Sequence, residues 1–304
     1  GIGTKGLASK NDNKSNILLG NFTANYKKSF GKHYMDVLGL AEIQDYQYSG
    51  FGSNARYFAT NFFGFNNLMA GADIKHGDAT SYANGNKLVS FMGRFNYSYA
   101  DKYIATINMR GDGSSKLGAN NKWGFFPSAS LAWVLKEEDF LKDVSAVSNL
   151  KVRVGYGLTG NQDAISAYNS LMLMSPTGTT TVNGKPVVTY GINRNDNPDL
   201  RWEVKKMFDA GIDASFFNER LTFSADYFYE HRFDIITNLS NSGKLGYPGI
   251  VGKDAPFVNS GIVDNRGIDF EIGWNGSIGD DFRYYIKPNF TFARNKIKFM
   301  NEVS

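Results

Sequence analysis

The stretch Leu88-Val89-Ser90-Phe91-Met92-Gly93-Arg94-Phe95-Asn96-Tyr97-Ser98-Tyr99 decides the fold class. Val89, Phe91, Phe95, Tyr97 and Tyr99 share one parity; Ser90, Arg94, Asn96 and Ser98 share the other. A period of two belongs to a β-strand, whose side chains alternate between faces. After Ala100-Asp101-Lys102 the alternation resumes, with Tyr103, Ala105, Ile107 and Met109 against Thr106, Asn108 and Arg110. Two such runs joined by a short polar turn read as an antiparallel hairpin.

The same unit recurs outward from this hairpin. Phe208, Ala210, Ile212, Ala214 and Phe216 oppose Asp209, Asp213 and Ser215; after Asn218-Glu219, Leu221, Phe223, Ala225, Tyr227 and Tyr229 oppose Thr222, Ser224, Asp226 and Glu230. Ile268, Phe270, Ile272 and Trp274 begin another pair, completed by Phe282, Tyr284, Ile286, Phe290 and Phe292. The pattern predicts ten strands, at 16–30, 33–49, 87–99, 103–111, 124–135, 150–157, 205–217, 220–231, 265–276 and 282–296. One face is Phe, Tyr, Ile, Leu, Ala and Val; the other carries Arg, Asp, Glu, Asn, Ser and Thr.

The connections alternate in length. Short ones fall at 31–32, 100–102, 218–219 and 277–281, and long ones at 50–86, 158–204 and 232–264. Intermediate ones fall at 112–123 and 136–149, the second holding the amphipathic turn Glu137-Glu138-Asp139-Phe140-Leu141. A soluble sandwich has no reason to segregate loop length by sheet end. A bacterial outer-membrane barrel does, with short periplasmic turns and long extracellular loops. Aromatics near strand ends (Tyr97, Tyr99, Tyr103, Tyr227, Tyr229, Tyr284, Tyr285) point the same way, because interfacial girdles use them.

Composition agrees and excludes several classes. The 304 residues are 42% hydrophobic and 15% aromatic, yet no apolar run reaches the roughly 18 residues of a membrane helix. A membrane barrel survives that test, since its strands are half polar. The net charge of +4 comes without a block of basic residues, so no nucleic-acid footprint is expected. Cys is absent, which removes disulfide and thiol chemistry. His33, His76 and His231 lack metal-ligand spacing, and no cofactor is expected. The opening Gly1-Ile-Gly3-Thr-Lys5 carries no signal-peptide pattern.

Several motifs lie on this frame. Arg110-Gly-Asp112-Gly113-Ser114-Ser115 precedes Leu117-Gly118, Asn120-Asn121-Lys-Trp123-Gly124, and Phe126-Pro127-Ser128-Ala-Ser130-Leu-Ala-Trp133. Leu150-Lys-Val-Arg153-Val-Gly155-Tyr156-Gly157-Leu-Thr159-Gly160-Asn161 follows, then Asn197-Pro198-Asp-Leu200-Arg-Trp202-Glu203. Asn259-Ser-Gly261 and Asn265-Arg-Gly267-Ile-Asp-Phe-Glu271 close the series. In sequence order over about residues 90–300, these resemble the SusC/RagA family of TonB-dependent outer-membrane transporters. Each also has a local reading as a strand end, turn or tightly packed glycine, and we expect these residues to build the barrel.

The resemblance implies an all-β, antiparallel transmembrane barrel of about 22 strands, of which this chain supplies about ten. It implies TonB-dependent import of a bulky nutrient, a glycan or oligopeptide, with no bond made or broken and hence no enzyme. It implies a plug inside the lumen, a TonB-ExbB-ExbD complex that acts on the plug, and a SusD-like surface lipoprotein as a lid. The expectation is that residues 1–304 form part of one barrel domain embedded in the lipid bilayer, without the plug, signal peptide and C-terminal strands. The rivals are a self-contained ten-strand porin or adhesin, a soluble glycan-binding β-sandwich, and a barrel hydrolase. The sandwich would bury Phe91, Phe223 and Phe270 between two sheets.

Phe51, Tyr57, Phe58, Phe62, Phe63 and Phe65 fall in the first long connection beside Asn54, Asn61, Asn66 and Asn67. They are candidates for sugar stacking or lid contact, or for packing on neighbouring loops. Asn193–Asp199 could offer oxygens to calcium, but lacks regular ligand spacing and reads as a solvated loop. Ser148-Asn-Leu-Lys151 sits at a strand start without the partner motifs of a serine acyl enzyme. Gly1-Ile-Gly3-Thr-Lys-Gly6 matches a dinucleotide fingerprint by letter only.

Overall fold

The computed structural model describes residues 6–60, 62–75, 77–238, 256–279 and 281–300. In chain order the strands are β1 (Leu7–Phe30), β2 (His33–Phe58), β3 (Gly71–Asp73), β4 (Ala79–Tyr99), β5 (Tyr103–Ser114), β6 (Trp123–Val134), β7 (Val147–Asn161) and β8 (Leu173–Val182). There follow β9 (Lys185–Arg194), β10 (Glu203–Phe216), β11 (Leu221–Phe233), β12 (Ile236–Asn238), β13 (Phe257–Asn259), β14 (Ile262–Ile278), β15 (Phe282–Ile286) and β16 (Asn289–Phe299). The main sheet runs β1-β2-β4-β5-β6-β7-β10-β11-β14-β15, with β16 also on β14 and β3 on β2. No pairing among the described residues joins its first strand to its last, so the sheet is open. No helix is long and apolar enough to cross a membrane.

All ten expected strands are present, and most are longer at the long-loop end. The β1 strand begins at Leu7 rather than near 16, and β2 continues to Phe58 rather than 49. Phe51, Tyr57 and Phe58 are therefore strand residues, not loop residues. Periodicity could not show this, because Leu7–Asn16 is polar on both parities and is held by backbone pairing instead. The expected last strand is split: β15 pairs Trp274–Ile278 of β14, whereas β16 pairs Ile262–Glu271. Pro288 lies in the gap and lacks the N–H a continuous ladder needs. Two long connections carry strands of their own, the hairpin β8–β9 and the short pair β12–β13.

The chain forms two compact units. The first comprises residues up to Gly20 with Ile43–Leu88, and the second Asn21–Glu42 with Val89 onward. In the first, Arg56 donates twice to Asp78, at 2.6 and 2.8 Å, and the Lys75 N–H donates to the same carboxylate at 2.5 Å. The Arg56 guanidinium holds Asp78 below the usual carboxylate range. The Tyr82 hydroxyl joins Asn13 and Tyr48, tying the three long strands together.

In the second unit, register places the apolar residues on one face. Leu131 sits opposite Val154, Val154 opposite Ala210, Ala225 opposite Phe270 and Phe270 opposite Phe290. These side chains are not covered by a second sheet. Phe91 is 53% exposed and Phe270 36% exposed, which excludes the sandwich and leaves the apolar face for lipid. Phe223 meets Phe270 edge-on along that face, with centroids 5.2 Å apart. The short turns are tight: Ala100 and Asp101 both take positive φ, matching a two-residue primed turn. The amphipathic turn is a short helical segment, Asp139–Lys142, preceded by a 3-10 turn.

Candidate functional site at the long-loop end

Part of the family-motif series comes together as a loop knot at the long-loop end of β5, β6, β7 and β10. Gly118 N–H donates to Leu200 O at 2.8 Å, and Asn120 N–H to Pro198 O at 3.1 Å. Asn120 and Asn121 side chains donate to Asp199, and the Ser170 hydroxyl to Leu117 O. Leu117, Leu200 and Trp202 are buried beneath these bonds. Trp202 donates to Lys122 O at 3.1 Å and packs edge-on against Phe126, with centroids 5.5 Å apart. Gly160 leaves space for the Phe126 ring, which any Cβ there would overlap. Ser114 donates to Gln162, and Asn161 reaches Glu203 at 3.4 Å.

Asn197 turns the chain: its Oδ1 accepts from Asp199 N–H and its Nδ2 donates to Phe257 O. The neighbouring strap is equally tied. Arg201 donates to both oxygens of Asp234, at 2.8 and 2.6 Å, while Asn259 bonds the Arg201 backbone at both N–H and C=O. The Oδ1 atoms of Asn197 and Asp199 are thus engaged by protein donors. Among the described residues no group of three or more His, Asp or Glu could hold a metal ion.

Below the knot, the inward face carries an ion network. Arg153 reaches Asp226 at 2.6 Å, and Asp209 and Asp213 at 3.2 Å each. Lys151 and Ser224 complete the shell of Asp213. Arg110 holds Asp112 at 2.8 Å and donates to Ser90. Asn265 donates to Glu230, and Gly267 lies against the Phe228 ring. Gly113 packs on Trp123 and Gly157 on Ser128; Ser115 follows β5 in the knot. Pro127 and Tyr156 lie on the outward face, opposite Met109 and Phe208.

At the short-turn end, Phe30, His33, Tyr99, Tyr103 and Trp133 form a contiguous aromatic row. Glu138 accepts from Tyr103 (2.6 Å), Trp133 (3.0 Å) and Lys102 (3.2 Å). The Tyr103 hydroxyl, then Trp133 and Lys102, hold this carboxyl below its ordinary range. Sequence reading saw the turn but not this anchor, since its three donors lie on two strands and one turn.

The aromatic connection is open rather than packed. Phe62 is 86% exposed and meets Phe63 edge-on at 5.3 Å; Phe51, Tyr57 and Phe65 are also exposed. Phe58 alone of the six is half-buried, against Gly6 and Gly71. Asn61 lies outside the described residues.

The remaining chemical readings disperse. His33 bonds Tyr97 and His231 bonds Asp264, each at 2.7 Å, at opposite ends of the sheet and with no serine involved. His76 lies outside the described residues, as do residues 1–5 of the glycine-rich start. Ser148 accepts from Glu219 N–H and Lys151 pairs with Asp213, so the Ser-x-x-Lys residues serve the wall.

An antiparallel sheet with a lipid-ready outer face, a charged inner face, its tightest turns at one end and its longest loops at the other defines a stretch of outer-membrane barrel. The chain belongs to the TonB-dependent receptor-like β-barrel family, whose model matches residues 3–302. It is 37% identical over 292 residues to TonB-dependent receptor P3 of Formosa agariphila, covering 95% of this chain and 28% of that protein. It is 32% identical over 280 residues to TonB-dependent receptor SusC of Bacteroides thetaiotaomicron, covering 91% and 27%. Its fold superposes on the RagAB peptide importer in its closed-closed state with a TM-score of 0.80 at 25% identity, covering 97% of this chain and 32% of that one. The chain therefore spans less than a third of the length of these relatives. They are receptors and transporters rather than catalysts, and the protein is of the outer membrane.

Proposed function

We propose that this segment is part of one barrel domain of an active importer for a bulky nutrient, a glycan or an oligopeptide. The carrying observation is the pairing of loop length with face chemistry: every short connection lies at one sheet end, and Arg153 with its three carboxylates faces inward. A wall greasy outside and charged inside suits a water-filled or plugged passage. The similarity to an importer described as carrying peptides supports the oligopeptide class, and the glycan class rests on the resemblance of the motifs. It also supports the partners: a plug acted on by TonB-ExbB-ExbD, and a SusD-like surface lipoprotein as lid. The exposed Phe62–Phe63 pair supports a contact role for the first long loop, since solvated aromatics suit stacking on sugar rings or packing on a protein. The test is uptake by cells carrying the full-length protein. Import should stop when the proton gradient is collapsed, and a surface lipoprotein should co-purify. Uptake that persists without the gradient would make the protein a passive pore.

A further inference from the structure

We infer that the outward face of β10, β11, β14 and β16 carries a binding site for the phosphate of an anionic lipid headgroup, in the leaflet at the long-loop end. The last wholly apolar row on this face aligns Ala210, Tyr227, Ile268 and Phe292. Immediately above it, register aligns Phe208, Tyr229, Arg266 and Arg294, and above those Lys206, His231, Asp264 and Lys296. All share the parity of the lipid-facing side chains.

The charge on this pair of rows is unbalanced. Asp264 is its single carboxylate, and it is occupied by His231 at 2.7 Å and Lys298 at 3.4 Å. Among the described residues, Lys206, Arg266, Arg294 and Lys296 have no carboxylate partner; Lys206 instead lies over the Phe233 ring, and Arg294 over Phe292. Like charges placed directly across two strands repel, so an anion from outside the chain would relieve the pairing of Arg266 with Arg294. The rows sit where acyl chains give way to headgroups, since they continue the lipid face toward the long loops. There a phosphate meets both the cations and the greasy band below. A free phosphate would use only the first of these.

The full-length protein, in uncharged detergent, is titrated with phosphatidylglycerol, with phosphatidylcholine and inorganic phosphate as separate arms. Phosphatidylglycerol should be retained over phosphatidylcholine, and R266Q/R294Q should weaken it by about thirtyfold, roughly fivefold per cation. R232Q, one residue from His231 but on the inward face, should bind as wild type. Folding is checked by heat-modifiable gel mobility, and K206Q/K296Q replaces any variant that fails it. Unchanged retention in the variants, equal retention of phosphatidylcholine, or displacement by inorganic phosphate would overturn the site.

Discussion

The Arg153 guanidinium lies 2.6 Å from the Asp226 carboxylate, across the intervening strand that contributes Gly211 between them. With Asp209 and Asp213 on its other nitrogens, one cation serves three carboxylates. Substituting Arg153 by Gln should therefore cost more than an exposed ion pair, about 1–3 kcal/mol. Adding Asp226→Asn should recover part of that loss. Unfolding in detergent, followed by heat-modifiable mobility, measures both; an unaltered midpoint for R153Q would show the network to be idle.

Glu138 at the short-turn end predicts a pH dependence. Its folded pKa is depressed by the Tyr103, Trp133 and Lys102 donors. A depressed carboxyl adds stability that is complete above the unfolded pKa and lost as pH falls through the folded one. Wild type should melt above Glu138→Gln at neutral pH, and the gap should close below about pH 4. Melting curves at several pH values check this, and a gap that widened in acid would contradict it.

Gly118 lies against the Pro198 carbonyl so closely that any Cβ would overlap it. Backbone cannot swing aside as a flexible side chain can. Gly118→Ala should open the knot at a cost of about 1–3 kcal/mol, exposing 115–122 and 197–202 to proteolysis while the strands stay intact. Equal cleavage of variant and parent would mean the knot tolerates the methyl group.

The exposed Phe62 and Phe63 give a functional prediction. Replacing both by Ala should weaken cargo uptake or lipoprotein co-purification several-fold, with membrane insertion unchanged. Stability should barely move, because exposed rings contribute little burial. Normal uptake and co-purification would remove this loop from the binding surface.

Strand identity was legible wherever one face meets lipid. Phe91, Phe223 and Phe270 announced their strands through period-two alternation. Residues 7–16 were not legible, because a strand polar on both sides has no period to read. The β8–β9 hairpin did leave a signal: Asn183-Gly184, both at positive φ, is a primed turn. Pro176 and the Thr/Gly run around it masked the flanking strands. Those motif residues that meet in the knot gave no sign in the sequence of how they meet. Bonds such as Trp202 to Lys122 O link positions 80 apart in the chain, and spacing along a sequence carries no trace of them.

Along the path from β1 to β15, each strand of the main sheet pairs with the path strand before and after it in the chain. A wall built so can lengthen or shorten by whole hairpins, since adding one changes only the seam where it enters. Pore width in such proteins is then open to change by simple duplication of out-and-back units, with every existing neighbour preserved.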